Sequence, residues 1–212
     1  MLGGTLSYTG SSQGAVAVDT EDQYDIYPAG LSSRNYQIQF LHGHLAIYPR
    51  AVTVTADALS KVYGGPDPEL TFRVTSGSLA PAESFSGSLT RVSGEAVGSY
   101  MINRGSLAVN SNYDITFIGA DLTVTPKALT AALTGTVTKV YDGTAVAALS
   151  AGNFTLSGLV NADAVVLNYP ASGTYNDANI GTGKPVDVSG LWISGPGASN
   201  YVLLSDHAVG NV

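Results

Sequence analysis

The sequence predicts an all-β protein, built of tandem Ig-like β-sandwich repeats that follow one another as an elongated rod. Three observations predict it. The first is self-similarity. Ser111-Asn112-Tyr113-Asp114-Ile115-Thr116-Phe117, followed by Leu122-Thr123-Val124-Thr125-Pro126, has an earlier copy in Arg34-Asn35-Tyr36-Gln37-Ile38-Gln39-Phe40 with Leu45-Ala46-Ile47-Tyr48-Pro49. A third copy is Ser199-Asn200-Tyr201-Val202-Leu203-Leu204. Tyr36 to Tyr113 and Pro49 to Pro126 are both 77 residues, and Tyr113 to Tyr201 is 88. A fixed period is the mark of an array. The second observation is composition. Charged residues are only 12% of the 212, while Gly, Ser, Thr, Val and Tyr are abundant, which suits strands and turns. The third is the recurrence of short alternating apolar runs between turn residues, the spacing of a sandwich or barrel.

Taken in order, residues 1–49 read as the C-terminal part of a truncated repeat. Gly4-Thr5-Leu6-Ser7-Tyr8 matches Gly87-Ser88-Leu89-Thr90-Arg91, and Tyr24-Asp25-Ile26 matches Tyr100-Met101-Ile102. The N-terminus has neither a charged n-region nor an apolar h-region, so it reads as the cut end of a longer chain. Half a β-domain leaves one apolar face uncovered, so this segment is expected either to be pinned by its neighbour or to find its missing strands in the parent protein.

Residues 50–127 read as a complete repeat. Val52 and Val54 alternate with Thr53 and Thr55 as a half-buried strand. Lys61-Val62-Tyr63-Gly64-Gly65-Pro66-Asp67-Pro68 turns the chain, since two prolines stop any helix. Leu70, Phe72 and Val74 share one face, opposite Thr71, Arg73 and Thr75. Leu79-Ala80-Pro81-Ala82-Glu83-Ser84 is the one place where a helical turn is expected. An alternative fold, small β-grasp-like repeats, would use it as its one short helix. Tyr113, Ile115 and Phe117 point inward, and Gly119-Ala120-Asp121 turns the chain before Leu122 and Val124.

Residues 128–212 read as a variant repeat. Thr138-Lys139-Val140-Tyr141-Asp142-Gly143 repeats Ser60-Lys61-Val62-Tyr63-Gly64-Gly65. Its eleven extra residues between tyrosine landmarks suit longer surface hairpins. The junctions Pro49-Arg50-Ala51-Val52 and Pro126-Lys127-Ala128-Leu129 hold no Gly/Ser linker, so adjacent repeats should be coupled end to end.

These runs carry a resemblance. Lys61 to Pro68, Gly77-Ser78-Leu79, Ser86 to Arg91, Gly94-Glu95-Ala96-Val97-Gly98-Ser99-Tyr100 and Asn112-Tyr113 resemble an MBG-type repeat. Lys139-Val140-Tyr141-Asp142-Gly143 and Asn179-Ile180-Gly181-Thr182-Gly183-Lys184 resemble the related YDG-type repeat. The resemblance implies large bacterial surface proteins similar to filamentous haemagglutinin, exported by two-partner secretion. It implies an extracellular adhesin or biofilm-matrix protein, secreted or at the cell surface, and implies no catalytic residue.

The chemistry agrees in outline. A net charge of −7, with nine Lys and Arg and no basic stripe, argues against nucleic acid and anionic membrane as partners. No apolar run nears the roughly 20 residues that span a bilayer. With no cysteine, disulfides and thiolate metal sites are excluded. His42, His44 and His207 lie near no nucleophile turn, so the chain is expected not to be an enzyme and to carry no cofactor. His42-Gly43-His44 reads as a polar hairpin tip rather than a metal site, for want of a third ligand. Asp19, Glu21, Asp22 and Asp25 form an acidic cluster without the ordered spacing of a calcium loop, and read as a solvated loop. Tyrosines number twelve. Those that recur, Tyr36, Tyr113 and Tyr201, and Tyr63 and Tyr141, are assigned core or corner roles with the hydroxyl bonding nearby backbone. Tyr169, Tyr175 and Trp192 lack counterparts in the middle repeat and are the candidates for stacking on a glycan. Trp192, beside Leu191 and Ile193, reads first as core. Two functions follow: a structural spacer between neighbouring repeats of the parent chain, or a module that binds extracellular polysaccharide or cell-surface glycan.

Overall fold

The computed structural model describes residues 1–160 and 163–211, and of residues 21–23 the backbone only. Among the described residues, nineteen strands and two three-residue 3₁₀ turns make up the regular structure, so the protein is all-β. It divides into two compact units. One comprises Met1–Asp57, Leu70–Thr90 and Ile102–Ala120, the other Ala58–Glu69, Arg91–Met101 and Asp121–Val212. The dividing line runs through the middle repeat, and both repeat junctions fall inside a unit.

In the first unit, β1 (Gly3–Thr9), β2 (Asp19–Ser32) and β3 (Gly43–Ile47) form an antiparallel sheet in the order β1-β2-β3. None of the described residues of 1–49 is buried. Two residues later β4 (Arg50–Ala56) begins. Its Val52, Val54 and Ala56 are buried while Thr53 and Thr55 face outward, the period-2 pattern of a one-faced strand. The next strands are β5 (Leu59–Val62), β6 (Phe72–Ser76), β7 (Thr90–Arg91), β8 (Gly98–Asn103), β9 (Tyr113–Ile118) and β10 (Ala120–Thr125). β4 pairs antiparallel with β6 and parallel with β9.

Two local expectations change here. The face expected of Phe72 and Val74 is kept, since they lie opposite the buried Ala56 and Val54, although Val74 is 41% exposed. Residues 79–84 form no helical turn. Ala82 takes a left-handed φ of 68°, outside the right-handed helical region, and the Glu83 N–H donates to the Ala80 carbonyl at 3.2 Å in a single turn. The short helix that the β-grasp alternative needs is therefore not formed there. Gly119 alone separates β9 from β10, and the chain changes sheet at that point instead of making a hairpin.

In the second unit, β5, β10, β8 and β7 form a sheet in that order, with β5 and β10 parallel. Leu122 and Val124 of β10 are fully buried. After Pro126 alone comes β11 (Lys127–Leu133), then β12 (Val146–Ala148), β13 (Phe154–Ser157), β14 (Val166–Asn168), β15 (Ser172–Tyr175), β16 (Pro185–Ser189), β17 (Trp192–Ser194), β18 (Tyr201–Leu203) and β19 (His207–Asn211). Proline removes a ladder donor and fixes φ, so it ends one strand and releases the chain into another sheet. The sheets β13-β11-β18 and β12-β15-β16-β19 enclose one core. Ala147, Leu149, Val186, Val188, Leu191 and Ala208 form its centre, with Leu133, Phe154 and Leu203 packed against it. Gly210 lets the layers close: a Cβ there would stand 2.9 Å from the Leu133 Cβ.

The repeat is visible in topology. β6-β4-β9 and β13-β11-β18 have the same order and senses, and Arg50 pairs with Tyr113 as Lys127 pairs with Tyr201. In the third repeat β14 pairs antiparallel with β17, with β15 and β16 between them in the chain, as Ser86 bridges Ala108 in the middle repeat.

Leu129 of β11 is wholly buried between its two strand neighbours. Leu129→Ala is expected to cost the second unit about 2–5 kcal/mol. A urea titration followed by far-ultraviolet circular dichroism measures it.

Candidate functional site: the repeat junctions

The recurring polar residues meet at the junctions, beginning with two tyrosine corners. Tyr113 and Tyr201 each open a strand that lies parallel to the first strand of their repeat. The Ala80 N–H donates to the Tyr113 hydroxyl at 2.8 Å, and that hydroxyl donates to the Glu83 carboxylate. The Val160 N–H donates to the Tyr201 hydroxyl at 2.9 Å, and that hydroxyl donates to Asp163 Oδ2 at 2.6 Å. Both corners therefore use a backbone N–H at position n and a carboxylate at n+3. Each hydroxyl has its acceptor and donor capacity filled. The phenol beside it, aided by Asn110, holds the Glu83 carboxyl below the usual carboxylate range. Tyr201, with Tyr63 second, does the same for Asp163. Burial first, then Asp163, pushes the Tyr201 hydroxyl up. Tyr36 does not make a corner: it lies outside any strand and is 74% exposed.

The residue before each corner tyrosine reaches into the preceding repeat. The Val18 N–H donates to Asn112 Oδ1 at 2.9 Å, and the Val97 N–H donates to Asn200 Oδ1 at 3.0 Å. Val18 immediately precedes β2 and Val97 immediately precedes β8, so the same bond is made twice. At the second junction more is added. The Tyr63 hydroxyl donates to Asp163 Oδ2 at 2.8 Å, and the Tyr63 and Tyr201 rings meet edge to face at 5.4 Å between centroids. Gly64, at φ 76°, lies so close to Val160 that a Cβ would stand 2.6 Å from its Cγ2. Asp163 thus accepts a phenol from each of two repeats.

Beside this junction lies an ion network that sequence reasoning missed. The buried Lys61 ammonium contacts Asp67 at 2.6 Å and also Glu95. Arg91 grips Asp67 through Nε at 2.6 Å and through NH2 at 3.1 Å, reaches Glu95, and lies over the Tyr100 ring. Arg91, then Lys61, draws the Asp67 carboxyl down to about 2. A Lys, two acids and an Arg between positions 61 and 95 were legible as motif residues; their convergence required the fold.

The glycan candidates do not converge. Tyr169 stacks on Phe154 at 4.5 Å and packs against the core. Tyr175 is also packed against the core, and its hydroxyl donates to the Val137 carbonyl at 3.2 Å. Trp192 is 58% exposed on β17, which corrects its reading as core: Leu191 points inward, and the alternation of a strand sends its neighbour out. Tyr175 borders a cleft of about 490 Å³ between residues 135–144 and 177–184.

His42 meets the Tyr27 ring edge to face at 4.4 Å, whereas His44 Nδ1 lies 3.2 Å from Asp25. The two imidazoles thus have different partners, and Gly43 and His44 belong to β3 rather than to a hairpin tip. Of the acidic cluster, Asp25 accepts the Tyr27 hydroxyl at 2.9 Å, and the side chains of Glu21 and Asp22 lie outside the described residues. Among the described residues no three His, Asp or Glu side chains are grouped so as to hold a metal ion.

Residues 52–123 match the family model of the MBG domain (YGX type), and residues 125–208 match that of the YDG domain. No curated protein and no solved structure matches the chain.

Two outcomes are expected. Asn200→Ala removes the acceptor of the Val97 N–H, so that amide should exchange about 2- to 10-fold faster, as a single neutral hydrogen bond allows; amide exchange followed by NMR measures it. The lowered carboxyls of Asp67, Glu83 and Asp163 stabilise the fold fully above their unfolded values near pH 4, and the gain is lost as pH falls through their lowered native values, about 2 for Asp67. The urea midpoint should fall steadily between pH 5 and pH 2; a midpoint that rose over this range would contradict the assignment.

Proposed function

We propose that this chain is a run of non-catalytic spacer repeats in an extracellular bacterial surface protein of the adhesin or biofilm-matrix kind, similar to the filamentous-haemagglutinin-like proteins exported by two-partner secretion. The observation that carries the reading is where the recurring polar groups go. Asn112, Asn200, Tyr63, Tyr113 and Tyr201 are all consumed in corners and in bonds between successive repeats. A site that bound or transformed a ligand would leave such groups converging on open space. The junctions of one or two residues support the same reading, because they give neighbouring repeats little freedom to swing. The matches to MBG and YDG domains fit a repeat array.

One observation favours a second reading, a module that holds extracellular polysaccharide or a cell-surface glycan: Trp192 presents its indole on the surface of the third repeat.

A glycan array and an exopolysaccharide pull-down with the full chain separate the two. The spacer reading expects no retention, for the wild type and Trp192→Ala alike. Saturable retention that Trp192→Ala abolishes would replace it with the glycan-binding reading.

A further inference from the structure

The third repeat repeats one half of the junction without its partner. In the middle repeat, the loop Lys61-Val62-Tyr63 and the segment Ala96-Val97-Gly98-Ser99 together receive the corner of the next repeat: Tyr63 meets Asp163 and Tyr201, and the Val97 N–H meets Asn200. Their counterparts in the third repeat are Lys139-Val140-Tyr141 and Asn179-Ile180-Gly181-Thr182. Topology supports the second match as well as sequence does. Val97 precedes β8, which neighbours the last strand of its repeat, β10; Ile180 precedes β16, which pairs with the last strand of its own, β19.

These counterparts face each other across the 490 Å³ cleft, which Tyr141 and Ile180 both line. Val140 is 88% exposed, Tyr141 63% and Ile180 87%, although all three are large apolar or aromatic residues. Neither the Tyr141 hydroxyl nor the Ile180 N–H has a hydrogen-bond partner among the described residues. Each group that the middle repeat spends on its neighbour is thus displayed here unspent.

We propose that this cleft is the socket of a further inter-repeat clasp, and that its occupant is the asparagine–tyrosine corner of another repeat of this kind. The proposal rests on the spacer reading and names the partner that the third repeat takes. Its chemistry is specified by the existing junction. An asparagine amide oxygen accepts the Ile180 N–H. A carboxylate already holding the corner tyrosine accepts the Tyr141 hydroxyl, and the corner ring lies edge-on to Tyr141. One difference narrows the partner further. Gly64 of the middle repeat, which leaves no room for a Cβ beside Val160, is replaced by Asp142 in the matching loop. The incoming corner must therefore carry a residue smaller than valine at that place. The corner of the middle repeat, with Ala80 donating to its tyrosine, is of that smaller type.

The test extends the full chain beyond Val212 by Thr-Pro and a second copy of residues 127–212, a repeat whose core lies wholly within itself. The added copy carries Val160→Ala to fit the socket and Ile180→Val so that its peptides differ in mass. Amide exchange by mass spectrometry is read on the original residues 177–184. The proposal expects at least about tenfold slower exchange at the Ile180 amide than in the unextended chain, and loss of that protection when the added copy also carries Asn200→Ala. Unchanged exchange beside a folded added copy overturns it. So does an added copy that stays unfolded, because the socket is held to support it, and so does protection that survives Asn200→Ala. None of these results touches the glycan assays, so the socket and the spacer reading fail separately.

Discussion

A phenol at the start of an edge strand constrains this structure more than any other group. Its ring belongs with the apolar residues of the strand, but its hydroxyl needs both a donor and an acceptor once water is excluded. Tyr113 and Tyr201 meet the need identically, through a loop that offers a backbone N–H and, three residues on, a carboxylate. That requirement fixes where the loop lies against the strand. The strand in turn is fixed by parallel pairing with the residues that follow Pro49 and Pro126. One polar requirement therefore ties a repeat's beginning, middle and end together.

The corner also explains why junctions recur with the same geometry. Asn112 and Asn200 are held one residue from an immobilised ring, so their amide oxygens point to the same place in the preceding repeat each time. A side chain already ordered by its neighbour loses less conformational entropy on bonding than a free one. The second junction adds a shared carboxylate, an edge-to-face ring pair and a glycine with no space above it. Such contacts make adjoining repeats one packed body locally. They account for compact units that straddle the junctions and divide within the middle repeat.

Divergence falls where this logic permits it. The third repeat is longer between its corner carboxylate and its corner tyrosine, 38 residues against 30, while the corner itself is unchanged. The ion network of Lys61, Asp67, Arg91 and Glu95 is confined to the middle repeat: Lys139, the counterpart of Lys61, turns instead to Asp142, to Thr144 and to the Val146 carbonyl. Buried charges survive only with full complements of partners, and the third repeat has no acids at the matching places.

The sequence by itself determined the strand character, the alternation of Val52 and Val54 with Thr53 and Thr55, the period, and the corner role of Tyr113 and Tyr201, because these rest on local residue order and on copying. It could not place Trp192, since one residue of strand phase decides between core and solvent and an apolar triplet does not reveal the phase. Tyr36 shares the motif of the other two tyrosines, yet a corner also needs a loop to receive its hydroxyl, and no described residue takes that part. The junction bonds, the four-charge network and the cleft beside Tyr141 join residues as far as 103 positions apart in the chain. Only tertiary structure decides such meetings, because they depend on how sheets pair and stack and not on what any one segment prefers.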